Sequence, residues 1–85
     1  MFYVYMLKSI TTNTKKTYVG YTNDIALRLI KHNNNLGAKS TKGYKWKVIF
    51  KKKFLSKSLA MSFEYALKNN RKLRSELLVK YDNSK

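Results

Sequence analysis

Five side chains in this chain have chemistry to offer: Tyr5, Tyr18, Arg28, His32 and Glu64. Tyr5 closes the apolar triplet Tyr3-Val4-Tyr5, and Tyr18 opens a second one, Tyr18-Val19-Gly20. Arg28 and His32 are four residues apart, roughly 40° on a helical wheel, so on a helix they share one face. Glu64 is one of only four acidic residues against 19 Lys and Arg, on a chain of formal net charge +15. An arginine can hold phosphate charge, tyrosine and histidine can move or orient protons, and one carboxylate can hold a hard cation. Together these groups suit phosphodiester chemistry. Each also has a plainer use: tyrosines pack in sheets, Arg28 and His32 can be unrelated boundary residues, and Glu64 can pair with Lys68 at i+4.

The elements that must position these groups follow from length and pattern. Eighty-five residues make one domain, 1–85, near the lower limit for a single unstapled core. Seven tyrosines, four phenylalanines and one tryptophan are enough for a small packed interior. Residues 2–8 are rich in aromatic and branched side chains and are expected to form a strand. Thr11–Lys16 is a polar turn, and Thr17–Tyr21 a second strand, giving an antiparallel hairpin. Gly20 within that strand marks either a bulge or a close approach of backbone to a ligand. Thr22 or Asn23 is expected to cap a helix that carries Asp24 in its first turn and runs to about Asn33. Its apolar arc is Ile25, Ala26, Leu29 and Ile30. Asn33-Asn34-Asn35 and Gly37 stop it and open a loop to Gly43. Tyr44–Phe54 is a third strand with Trp46, Val48 and Phe50 on one face and Lys45, Lys47 and Lys51 largely opposite. Ser56 or Ser58 caps a second helix with the core stripe Leu59, Phe63, Ala66 and Leu67. After Asn69-Asn70 comes a third helix, about Arg71–Lys80, with Leu73, Leu77 and Leu78 inward. The expected class is α+β, a small three-stranded antiparallel sheet flanked by helices in the order β-β-α-β-α-α.

Composition narrows the function classes. There is no cysteine, which excludes disulfides and thiolate metal sites. A lone histidine cannot build a zinc site without several carboxylates. No stretch approaches the roughly 18 apolar residues of a membrane span, and the N-terminal segment reads as a strand, so the expectation is a cytoplasmic protein without a membrane partner. The lysine excess favours polyanions, with nucleic acid the leading partner. Sixteen lysines against three arginines point to phosphate contacts more than to base reading. Gly20, Tyr21 and Thr22 lie just before the first helix, a favourable place for a phosphate. Lys39, Lys42, Lys45 and Lys47 are the other candidates for nucleic-acid contact.

As a combined pattern these residues resemble the GIY-YIG nuclease superfamily. Tyr3-Val4-Tyr5 stands where that family has Gly-Ile-Tyr, and Tyr18-Val19-Gly20 where it has Tyr-Ile-Gly. Leu36-Gly37-Ala38-Lys39-Ser40-Thr41 followed by Tyr44–Trp46 is similar to its small stand-alone bacterial branch, and the likeness spans about residues 2–78. The resemblance implies divalent-metal-dependent phosphodiester hydrolysis, with Mg²⁺ or Mn²⁺ as cofactor and DNA repair or processing as setting. By position, Tyr18 would be the general base or would orient the attacking water, and Tyr5 would help position water or phosphate. Arg28 would stabilise the scissile phosphate, His32 would assist proton transfer or contact phosphate, and Glu64 would bind the metal. A tyrosine of ordinary pKa near 10 needs a nearby cation or metal-bound water to act as a base, and the local positive charge is expected to supply that shift. Three departures from the family pattern are Tyr3 in place of glycine, Tyr21 where some relatives carry lysine, and a late asparagine to which neither Asn69 nor Asn70 aligns securely.

Two other readings stand beside the enzyme: a nucleic-acid-binding module of the same fold with little or no catalysis, and an RNA-binding accessory protein. Leu27 and Ile30 are more apolar than a free helix surface requires, which leaves room for a homodimer or protein partner.

Overall fold

In the computed structural model residues 1–10 and 16–84 are described. The turn expected over Thr11–Lys16 lies largely outside them. Three strands, β1 (Phe2–Ser9), β2 (Thr17–Thr22) and β3 (Trp46–Phe54), form one antiparallel sheet in the order β2-β1-β3. Three helices complete the chain: α1 (Ile25–Asn33), α2 (Lys57–Lys68) and α3 (Arg71–Asn83), with a short 3-10 turn at Lys39–Thr41. The class and element order are those expected from the sequence. No helix among the described residues is long and apolar enough to cross a membrane.

The central strand β1 is buried on both faces and divides the interior in two. Val4 and Met6 join Val19, Ala60 and Leu67 on the side of α2 and α3, with Phe50, Phe54, Phe63, Leu73 and Leu77 packed around them. Tyr5 and Leu7 join Trp46 on the side of α1, with Tyr18, Ile25, Leu29, Tyr44 and Val48 around them. Neighbours on β1 therefore serve different cores, as the two-residue period of a strand requires.

Strand β3 departs from the expected alternation. Leu7 pairs with Val48 but Met6 pairs with Phe50, so Ile49 is an extra residue opposite a single step of β1. This bulge reverses the facing of everything after it. Trp46 and Val48 belong to the α1 side, whereas Phe50 and Phe54 belong to the α2/α3 side. The expectation that Trp46, Val48 and Phe50 share a face is thereby corrected. Lys52, opposite Val4, reaches back with Nζ 5.1 Å from the Phe63 ring centre, an ammonium that covers apolar surface with its stem.

The helix phases also need adjustment. In α2 the inward residues are Ala60, Phe63, Glu64 and Leu67, while Leu59 and Ala66 are exposed. The stripe is rotated so that Glu64 lies on the face turned toward the sheet. In α1 it is Ile25, Leu29 and His32 that turn inward; Ala26, Leu27 and Ile30 are exposed. The cap of α1 is Asp24, not Thr22 or Asn23: its carboxylate accepts from Leu27 N at 3.0 Å. Thr22 Oγ1 accepts from Asp24 N at 3.1 Å and so sets up the cap. The positive end of α1 is thus already occupied by the chain's own carboxylate. Ser56 caps α2 and Asn70 caps α3, accepting from Leu59 N and Leu73 N, each worth about 1 kcal/mol.

Candidate active site

The far end of α1 is tied to the sheet by one side chain. Asn33 Oδ1 accepts from Trp46 N at 2.6 Å and its Nδ2 donates to Trp46 O at 3.2 Å, so this amide pairs with β3 as another strand would. Lys45 Nζ donates to Asn33 O at 2.7 Å. The following loop is shaped by Asn35, whose φ of 61° is a left-handed conformation that asparagine tolerates, and whose Oδ1 accepts from Gly43 N. The 3-10 turn then lies beneath α1, with Thr41 fully buried and its carbonyl accepting from Trp46 Nε1 at 3.0 Å.

On that platform a chain of side-chain hydrogen bonds is assembled. Arg28 Nε lies 3.4 Å from Tyr5 Oη and donates to it. Tyr5 Oη is 2.9 Å from His32 Nε2, and His32 Nδ1 is 3.0 Å from Thr41 Oγ1. Thr41 Oγ1 donates to Ala38 O at 2.7 Å. Since that hydroxyl has one hydrogen, committed to Ala38, it must accept from Nδ1–H. His32 is then the Nδ1–H tautomer, its Nε2 lone pair accepts from Tyr5, and every donor points from Arg28 toward the main-chain carbonyl. Both ends of His32 are engaged and the ring is 0% exposed.

The rings are packed as tightly as the hydrogen bonds suggest. Tyr18 lies 4.9 Å from His32 and 6.3 Å from Tyr5 between ring centres. Gly20 is the cross-strand partner of Tyr5, and a β-carbon there would stand 2.6 Å from Tyr5 Oη and 3.0 Å from Tyr18 Cε2. The glycine serves a close approach, but of a protein ring, and the β1–β2 register runs past it without a bulge. Gly37 does the same for the histidine: a β-carbon there would overlap the imidazole at Nδ1. Thr41 and Gly37 are thus parts of the site that the sequence reasoning did not assign. The only available signal was that both lie in the Leu36–Thr41 segment.

Electrostatics follow from burial. Burial, the largest cause, pushes the Tyr5 hydroxyl pKa above its ordinary value; Arg28 opposes this, while Tyr18 and Glu64 add to it. The expected activation of a tyrosine by positive charge is therefore not found at Tyr5, which stays protonated. The His32 imidazole is pushed below its ordinary value, chiefly by burial and then by Arg28, in keeping with the neutral tautomer. The Arg28 guanidinium is held charged, first by its hydrogen bond to Tyr5.

Glu64 approaches this group from α2. Its side chain is 16% exposed and pairs with Lys68 Nζ at 3.5 Å, and its charge acts on Tyr5 across the intervening space. Among the described residues no three His, Asp or Glu side chains gather as a metal cage. A cation there would rest on Glu64, with water and substrate oxygens completing its shell, which suits the hydrated, oxygen-seeking chemistry of Mg²⁺. The remaining candidates are more scattered. Gly20 is buried and Tyr21 packs against the Val4–Met6 cluster. Lys39, Lys42 and Lys45 are exposed, while Lys47 Nζ lies 4.8 Å from the Tyr81 ring centre.

Comparison with known proteins bears on the family and the fold. The family described as the GIY-YIG catalytic domain matches residues 1–77. A UPF0213 protein of Oceanobacillus iheyensis is 36% identical over 80 residues, covering 93% of this chain and 90% of that protein. One from Streptococcus pyogenes serotype M3 is 42% identical over 79 residues, covering 91% and 80%. The solution structure of a UPF0213 protein from Bacillus halodurans has a TM-score of 0.53 and 35% identity, over 94% of this chain and 84% of that one.

Proposed function

Because this chain belongs to the GIY-YIG catalytic-domain family, we propose that it is an endonuclease that hydrolyses phosphodiester bonds in DNA, with one divalent ion, Mg²⁺ or Mn²⁺, held by Glu64. The observation that carries this reading is the convergence of Arg28, Tyr5, His32 and Tyr18 on one hydrogen-bonded, ring-packed cluster.

Arg28 binds the scissile phosphate. Its Nε is fixed by Tyr5, which aims the remaining guanidinium hydrogens and gives the developing phosphoryl charge a preorganised partner. Tyr5, kept protonated, and His32, kept neutral, act as the mount for that arginine. His32 acts through Tyr5, since it is buried with both nitrogens engaged. Proton removal from the attacking water then falls to Tyr18, which is half-exposed at the rim of the cluster. The ion at Glu64 would supply charge neutralisation at the phosphate and a more acidic water. Exposed lysines, Lys39 and Lys42 among them, hold the backbone without reading bases. Processing or repair of DNA in the cytoplasm is the setting this reading favours.

A cleavage panel tests it: nicked, branched, single- and double-stranded DNA, and RNA, each with Mg²⁺ or Mn²⁺. Arg28→Ala should lower the cleavage rate by about 10²–10³-fold, the usual loss for a charge-stabilising donor, and Glu64→Ala should abolish ion-dependent cleavage. Cleavage by either variant at the parent rate would sink the proposal. The Glu64–Lys68 ion pair favours a second reading, a nucleic-acid-binding module with weak or absent catalysis. That reading predicts metal-independent binding and no product on any substrate.

A further inference from the structure

The chain has three arginines among 19 basic residues. One, Arg28, is in the cluster described above; the other two, Arg71 and Arg74, line a single cleft. This cleft, about 290 Å³, lies between the sheet and α3, with Met6, Leu78, Thr17 and Ser75 completing its walls. No acidic residue lines it. Guanidinium groups offer a planar fork of donors that matches phosphate oxygens, which lysine cannot do, and the Thr17 and Ser75 hydroxyls add two more donors. Arg74 Nη1 is bonded to Leu67 O and Lys68 O at the end of α2, so that fork is held in place before any ligand arrives. Arg71, the first residue of α3, is exposed.

The position of the cleft is as telling as its lining. A second cleft of about 380 Å³ is walled by Thr17, Tyr18, Val19, Ser40, Lys68 and Arg74. The two share Thr17 and Arg74, so a continuous basic path leads from Tyr18 past Lys68 and Arg74 to Arg71.

We propose that the Arg71–Arg74 cleft is a second phosphate subsite, holding a backbone phosphate of the same DNA strand whose scissile phosphate lies at Arg28 and Tyr18. The identity of the strand rests on the nuclease reading; the subsite itself is a binding site and needs no cleavage to be observed.

The test is binding of a fluorescently labelled DNA duplex, measured by anisotropy over a salt series in a Glu64→Ala background so that no substrate is consumed. Arg71→Ala should weaken binding roughly tenfold at low salt and reduce the slope of log K against log salt by about 0.9. Ser75→Asp, which places a carboxylate in the cleft at an exposed helical position, should weaken it further. Lys53→Ala, on the opposite edge strand, should leave the slope unchanged. Circular dichroism confirms that each variant is folded. Arg71→Ala and Ser75→Asp with parental affinity and slope would overturn the subsite, as would an equal loss in Lys53→Ala, which would mean a diffuse charge effect. A parent that binds DNA but cleaves nothing removes the nuclease reading and leaves the subsite standing. A parent that does not bind DNA removes both.

Discussion

At Tyr5 one hydroxyl joins two duties: it receives Arg28 and donates to His32. Both ring partners are held in their uncharged forms by burial, so stability should fall at both ends of the pH scale. Tyr5 has a raised folded pKa. Its contribution is fully present below the unfolded value of about 10 and is lost as pH rises through the folded one. His32 has a lowered folded pKa. Its contribution is fully present above the unfolded value of about 6.5 and is lost as pH falls through the folded one. Thermal melts across pH should show a plateau between these limits, with the alkaline fall reduced in Tyr5→Phe and the acid fall retained. An alkaline fall identical in parent and variant would refute the assignment. At this scale the sequence offered Tyr5, Tyr18, Arg28 and His32 as candidates but not how they are joined. Arg28 and His32 could be placed on one helical face from their spacing. The contact of His32 with Thr41, across a segment that turns on Asn35, has no local signature.

Among the elements, the loop between α1 and β3 has the most influence on the cluster for its size. It buries Thr41, brings Gly37 against the imidazole and is tied by Asn33 to Trp46. Gly37→Ala should therefore displace His32 and destabilise the fold by about 1–3 kcal/mol, read in urea melts. Gly43→Ala makes a useful contrast, because its β-carbon would meet open space and only the φ of 86° is strained, at a cost of about 1–2 kcal/mol. Cleavage or DNA binding should be impaired in the first and near parental in the second. Equal effects would mean that the loop matters only as a connection. Helix and strand identities were legible because their periodicities differ. Phases were less so: in α2 the apolar set 59-63-66-67 competes with 60-63-64-67, and the second wins although it turns a carboxylate inward. Similarly, Asp24 outcompetes its hydroxyl and amide neighbours as a cap because its charge suits the helix end.

For the whole molecule the dominant quantity is net charge. A chain of +15, with only four acidic residues to offset its 19 basic ones, repels itself, so added salt should raise its melting temperature at neutral pH while weakening its hold on DNA. A melting temperature that fell with moderate sodium chloride would contradict this. The fold as a class was legible from the order of its elements, since two short strands, a helix, a strand and two helices leave few ways to cover both faces of a sheet. The division of the interior was not legible, because Ile49 carries no glycine or proline to mark it. That bulge has a consequence for deletions as well as for packing. It acts as a phase shifter between the half of β3 that supports Tyr5 and the half that supports α2 and α3. Loss of Ile49 would leave Val48 opposite Leu7 and Phe50 opposite Met6, so both halves would keep their facing, whereas loss of a residue between Phe50 and Phe54 would turn Phe54 to the other face. Position 49 is thus slack in the count of the strand, although its own side chain packs beside the Val4–Met6 cluster.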